Sequence, residues 1–182
     1  MALYTFEETV KSNLKGTIID IKTIGEYDKM HKGDSRECAS KMVIAFGYLG
    51  SQNLTIICAK DADGLKDIKI PIPAVLGSLE RPFYAFNCSF ESYVLYHQIG
   101  IKIIFDGDIQ PHKWDRKEAS IKLLKIPNYG DPFYDDGSKC KDLWSEGGFL
   151  AVVAYHRASL LKERAMLIKQ GYRDIDPVVF AD

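Results

Sequence analysis

The chain has 182 residues, enough at about 100–200 residues per domain for one domain and a core that needs no metal or disulfide staple. Lysine and arginine total 24, aspartate and glutamate 25, for a formal net charge of −1. With 46% hydrophobic and 27% charged residues, this composition excludes a disordered chain, a coiled coil, a collagen-like chain and a protein that grips nucleic acid by bulk positive charge.

The amino-terminal Met1-Ala-Leu-Tyr-Thr-Phe-Glu-Glu8 has no basic segment and no long apolar segment, so it does not read as a signal peptide. The longest uncharged apolar run, Phe149 to Tyr155, is seven residues, where a membrane span needs about 20. Cys38, Cys58, Cys88 and Cys140 are scattered and lack the close ligand pairs of a zinc site. A cytoplasmic protein with reduced thiols and no membrane partner is the expectation.

After Gly16, the β-branched run Thr17 to Lys22 predicts a first strand with Ile19 and Ile21 on one face. The polar stretch from Gly25 to Lys41 reads as a long loop. Met42 to Leu49 is a second strand, Gly50-Ser-Gln-Asn53 a hairpin-length turn, and Leu54 to Ala59 a third strand. Asp61 to Lys69 is charged and reads as irregular. Pro73 suits the first turn of a short helix over Ala74 to Leu79. Arg81 to Phe86 is a short aromatic strand. Ser89 is a candidate N-cap for a helix over Phe90 to Gln98, stopped by Gly100. Ile101 to Phe105 is a further apolar strand. Ala119, Leu123 and Ile126 give helical spacing to Asp115–Leu124. A turn-rich loop follows, then a long helix from about Gly148 to Gln170, ended by Gly171.

Three antiparallel strands followed by alternating strands and helices predict a single α/β domain over 1–182, with its core in about 16–170. The expected architecture is a five-stranded mixed sheet with helices on both faces. No G-x-G-x-x-G follows the first strand, and there is no Walker A lysine motif, so a nucleotide-binding Rossmann or P-loop fold is not expected.

Polar residues interrupt apolar runs at three places. Asp20 sits inside Ile18-Ile19-Asp20-Ile21, where a buried carboxylate must be paired or metal-bound. Asn87-Cys88-Ser89-Phe90-Glu91 marks a strand-to-helix junction, with Glu91 suited to the first helical turn. His156, Ser159 and Glu163 are spaced i, i+3 and i+7 on the last helix and share one face.

In order along the chain, these three segments resemble the motifs of the DEDD-type 3′–5′ exonucleases of the ribonuclease H-like superfamily. The resemblance runs from about Gly16 to Gln170 and implies a ribonuclease H-like fold. The first motif, D-x-E, reads Asp20-Ile21-Lys22, with lysine in place of the second acid. The second reads Asn87-Cys88-Ser89-Phe90-Glu91, with Glu91 as its acid. The third, Y-N-x-x-D, reads Tyr155-His156-Arg157-Ala158-Ser159, with serine in the final position. In the variant third motif, H-x-x-x-x-D, His156 matches and the acid's place falls on Leu161.

The resemblance implies Mg²⁺ or Mn²⁺ held by Asp20 and Glu91, and Asp20, Glu91, His156 and Glu163 as candidate catalytic groups. Lys22, Asn87, Phe90, Tyr155 and Ser159 would then contact substrate, a single strand of DNA or RNA. Such a centre needs several converging carboxylates, and here two of the four positions carry a cation and a hydroxyl. The Asp-x-Lys spacing therefore predicts that the Lys22 ammonium takes the place of the metals and pairs with Asp20 and Glu91. Glu163, one turn beyond Ser159, is the acid that would rescue a metal site. Two functions follow: a metal-dependent 3′–5′ exonuclease, or a degenerate member that binds nucleic acid or another protein. Lys113, Arg116, Lys117, Lys139, Lys141, Arg157 and Lys162 are candidate phosphate contacts, and Tyr84, Phe86, Phe90 and Tyr155 candidate stacking platforms.

Overall fold

The computed structural model describes residues 14–25, 39–50, 54–59, 62–111, 113–114, 116–124 and 148–171. Its centre is a five-stranded mixed sheet. The strands are β1 (Thr17–Gly25), β2 (Ala39–Tyr48), β3 (Leu54–Ala59), β4 (Phe83–Ala85) and β5 (Gly107–Asp108), in the order β3-β2-β1-β4-β5. β1, β2 and β3 are antiparallel neighbours, as the sequence predicts, and β4 and β5 run parallel to β1. The helices are α1 (Ala62–Asp67), α2 (Ile72–Ser78), α3 (Cys88–Val94), α4 (Arg116–Leu124) and α5 (Gly148–Lys169).

Strand alternation divides β1 between two cores. Ile19 and Ile21 join Met42, Ile44 and Phe46 in a layer completed by Leu65 of α1, Ile72 of α2 and Val94 of α3. Ile18 faces the other way, into a layer with Tyr84, Ala119 of α4, and Leu160 and Leu167 of α5. Helices therefore cover both faces. Asp20 and Lys22 share the face of Ile18, beneath α5.

Two glycines fix how closely the parts approach. Gly16 opens β1 at φ +117°, a conformation that favours glycine, and a Cβ there would collide with the Pro82 carbonyl oxygen. The next residue ties β1 to the turn before β4: the Thr17 amide donates to the Pro82 carbonyl at 2.9 Å and its hydroxyl to the Glu80 carbonyl at 2.8 Å. Gly47 lies under α5, where a Cβ would stand 2.8 Å from Cδ1 of Leu160.

Several elements differ from the sequence reading. The stretch read as irregular, Asp61 to Lys69, holds helix α1, because Leu65 and Ile68 (i, i+3) both enter the core. α2 begins at Ile72, two residues before the predicted start, with Pro73 in its first turn. Ser89 is not the cap of α3. Asn87 holds that position in the left-handed region at φ 71°, and the carboxylate of Asp108 caps from a neighbouring strand, accepting the Asn87 amide at 2.9 Å and the Cys88 amide at 3.0 Å. α3 continues as one π turn, Leu95–Ile99, which ends at Gly100 as expected.

Ile101–Phe105 is not a strand of the sheet. The ladder to β4 is taken by Gly107–Asp108, flanked by bonds from the Asp106 amide to the Phe83 carbonyl and from the Ile109 amide to the Ala85 carbonyl. Ile126, from the predicted helix of α4, lies outside the described residues, as does most of the loop read between Gly25 and Lys41. No helix among the described residues is long and apolar enough to cross a membrane.

Candidate functional site

Asp20 lies in the middle of the central strand β1, opposite Ala45 of β2. Its side chain is buried, 7% exposed, so its charge needs compensation from protein groups. The Lys22 ammonium supplies it, 3.0 Å from Oδ1, and Nδ1 of His156 lies 3.0 Å from Oδ2. Lys22 reaches Asp20 because residues two apart on a strand share a face. His156 reaches it from the opposite side because α5 lies directly on β2 and β3.

The sequence explains that approach. Asp20 and Ile18 pair with Ala45 and Gly47, the two smallest side chains in the middle of β2, which leaves room for the helix. Along α5, the face that carries the i, i+3, i+7 residues turns inward. His156, Ser159 and Glu163 are all buried. They line one small crevice together with Asp20, Ile18, Gly47 and Leu54, with space for about one water molecule. A carboxylate from β1, an imidazole, a hydroxyl and a second carboxylate thus converge from two elements distant in sequence.

The remaining predicted residues occupy other places. Glu91 is buried in the first turn of α3, the helix that packs Val94 into the layer opposite α5, and it does not line the crevice. Asn87 and Phe90 sit with it at the β4–α3 junction, both half-buried, and Phe90 packs against the same layer. Tyr155 lies on α5, but its side chain is outside the described residues. Leu161, at the variant motif's acid position, is a buried core residue.

Two expectations for nucleic-acid contacts need correction. Lys162 is buried at 6% exposure and is not part of an open basic groove. Its long aliphatic stem reads in sequence as a solvated helix face, yet α5 is covered here on more than one side. Tyr84 is 1% exposed and fills the core between α5 and the sheet, so it is not a stacking platform. Lys113 and Arg157 are exposed. Lys139 and Lys141, and the side chains of Arg116 and Lys117, lie outside the described residues. Sequence reasoning missed Arg164, which is buried on α5 and donates from Nη2 to the Tyr48 carbonyl at 3.1 Å. Burial lowers its pKa from the ordinary arginine value. Its interruption of the apolar run Leu160-Leu161…Ala165-Met166-Leu167 was the available signal.

Among the described residues, no group of three or more histidine, cysteine, aspartate or glutamate side chains is placed to hold a metal ion. The donor chemistry around Asp20 agrees. An ammonium lies 3.0 Å from Oδ1, pairing with an oxygen that a divalent ion would need, and the other oxygen faces an imidazole. The described residues do not fit a two-ion centre. No protein-family model, curated protein or solved structure matches the chain. The functional reading rests on these side chains.

Proposed function

We propose that this chain is a ribonuclease H-like domain of 3′–5′ exonuclease ancestry that binds single-stranded nucleic acid without a two-metal centre. The observation that supports this reading is the Lys22–Asp20 pair. Asp20 stands at the central-strand position of the first motif, and its partner cation is an ammonium belonging to the chain itself. The strand order, with three antiparallel strands followed by two parallel ones, is compatible with that fold. With the carboxylate neutralised from within, a divalent ion gains little at Asp20, because it must first displace a cation already desolvated beside it. Phosphate contacts then fall to exposed basic residues such as Lys113 and Arg157.

The test uses 3′-labelled and 5′-labelled single-stranded DNA and RNA. Degradation is followed with Mg²⁺ or Mn²⁺, beside an Asp20→Asn control, and binding is followed by fluorescence anisotropy across a salt series. Binding that weakens with salt, without metal-dependent trimming, is the expected result. Trimming from the 3′ end that disappears in Asp20→Asn would restore the active-exonuclease reading, with Glu163 as the completing acid. Absence of binding to any strand would remove nucleic acid as the ligand and leave a protein-interaction module.

A further inference from the structure

Three aromatic rings meet at the surface where α3 passes into its π turn. Tyr93 and His97, four residues apart, have ring centroids 4.1 Å apart and an interplanar angle of 32°. Tyr96 stands perpendicular to the same imidazole, at 89°, with centroids 5.1 Å apart. Tilted stacks and T-shaped pairs are the arrangements that rings favour. Tyr96 and His97 are exposed, Tyr96 at 52%, and Tyr93 is half-buried. Val94, Leu95 and Ile99 of the same segment fill the core beneath, so packing of that core falls to them and leaves Tyr96 and His97 at the surface. A π turn within a helix often marks a functional place.

The charge around these rings has one sign. From Ser92 to Phe105 the chain carries no acid, one histidine and one lysine. Gly100 closes the π turn in the left-handed region at φ 77°, and the Ile101 amide donates back to the Leu95 carbonyl at 3.0 Å. Lys102 therefore follows directly beside the turn. Ile101, Ile103 and Phe105 pack on the core, while Lys102 is exposed. α1, which packs against the π turn, adds exposed Lys66 and Lys69 against Asp63 and Asp67, so its own charges balance.

We propose that Tyr93, Tyr96 and His97 form a base-stacking platform for single-stranded nucleic acid, with Lys102 beside it for the phosphates. The proposal rests on the single-strand reading above and deepens it by giving the bases a place. A nucleotide combines a flat π-face with a negative charge, and exposed rings beside a cation match both parts. A cationic guest, the other common ligand of clustered rings, would meet the like charge of Lys102 and no acid in this segment. The rings hold one another in place, so little side-chain freedom is lost when a base stacks on them. Stacking reads no base edges, so the platform tolerates any sequence.

Fluorescence anisotropy of labelled oligo(dT) and oligo(rU) with the full chain, across a salt series, tests this. Tyr96→Ala changes an exposed side chain and keeps helix propensity, so the circular dichroism spectrum stays that of the wild type. It weakens binding about tenfold without changing the salt slope. Tyr96→Phe, which keeps the ring, binds as the wild type does. His97→Ala weakens binding in the same way as Tyr96→Ala. Lys102→Gln instead lowers the slope of log affinity against log salt by about one. Wild-type binding that Tyr96→Ala and His97→Ala both leave unchanged overturns the platform, while the single-strand reading stands. A wild-type chain that binds neither strand overturns both.

Discussion

Asp20 and His156 meet at 3.0 Å between the central strand and the last helix, 136 residues apart in sequence, with Lys22 at 3.0 Å on the other carboxylate oxygen. Asp20 and Lys22 are opposite charges in a buried space, so removing the carboxylate takes away compensation that the ammonium has in the folded chain. Asp20→Ala removes the carboxylate 3.0 Å from the Lys22 ammonium, which is only 15% exposed. The expected loss is about 3 kcal/mol, the lower end for a broken buried pair, because that residual exposure relieves part of the charge. The double substitution Asp20→Leu with Lys22→Met removes both charges and should be less destabilised than Asp20→Ala alone. Urea unfolding of the three proteins checks both statements, and equal losses in all three would show that the pair is not coupled.

The room for this network comes from Gly47. Adding a methyl there brings it to 2.8 Å from Cδ1 and 2.9 Å from Cδ2 of Leu160, itself buried and unable to turn away into solvent. Gly47→Ala is expected to cost about 1–3 kcal/mol through overpacking. Leu160→Ala costs about 2–5 kcal/mol through the cavity it leaves. Together they should cost less than their sum, since the new methyl partly fills the new cavity. Additive losses in a double-mutant cycle would mean that the helix moves away as a body.

The parts of the fold legible in sequence were those with strong local signals. β3 was readable to the residue because a turn of Gly50 to Asn53 and the polar Lys60-Asp61 bracket six β-formers. α1 was not, because one helical turn containing Gly64 has little intrinsic preference, and the burial of Leu65 and Ile68 supplies its stability. Ile101–Phe105 has a strand's composition, yet the ladder falls on Gly107–Asp108, whose pairing is set by β4 and not by its own side chains. At the site, Asp20, His156, Ser159 and Glu163 stood out as polar residues at core spacing. Lys162 and Arg164 did not, since a long basic side chain on a helix looks alike whether its stem is solvated or buried.

If an ammonium stands where a metal would otherwise bind, exchanging it for an acid should create a demand for metal. Lys22→Glu places a carboxylate two residues from Asp20 on the same strand face, with buried Glu163 on the crevice beneath α5. Without metal, these like charges destabilise the fold. Mn²⁺ should then raise the melting temperature of Lys22→Glu while leaving the wild-type protein unchanged, and a hundredfold excess over the dissociation constant corresponds to about 2.7 kcal/mol. Adding Ser159→Asp should tighten the response. No Mn²⁺-dependent shift in either variant would mean that the carboxylates do not converge closely enough to share an ion.

Asp108 links the cap of α3 to the chemistry of Cys88. Its carboxylate accepts three backbone amides, from Asn87, Cys88 and Gln110, at 2.9–3.0 Å. The Cys88 thiol lies close by, its Sγ donating to the Gly107 carbonyl at 3.2 Å. Burial first, and the Asp108 charge second, raise the thiol's pKa well above its ordinary range. The folded chain therefore keeps a proton that the unfolded chain releases above about pH 8.5. Stability is unaffected by this group below that pH and falls as pH rises beyond it, by at most about 1.4 kcal/mol per pH unit. Cys88→Ala should flatten that alkaline loss in denaturation curves measured from pH 8 upward. Native Cys88 should also react more slowly with a thiol reagent than it does in urea. Asp108→Asn removes the second cause but keeps an acceptor for the amides, so it should speed that reaction while α3 remains folded. A Cys88 that reacts at the unfolded rate in the native protein would show that the thiol is neither shielded nor raised.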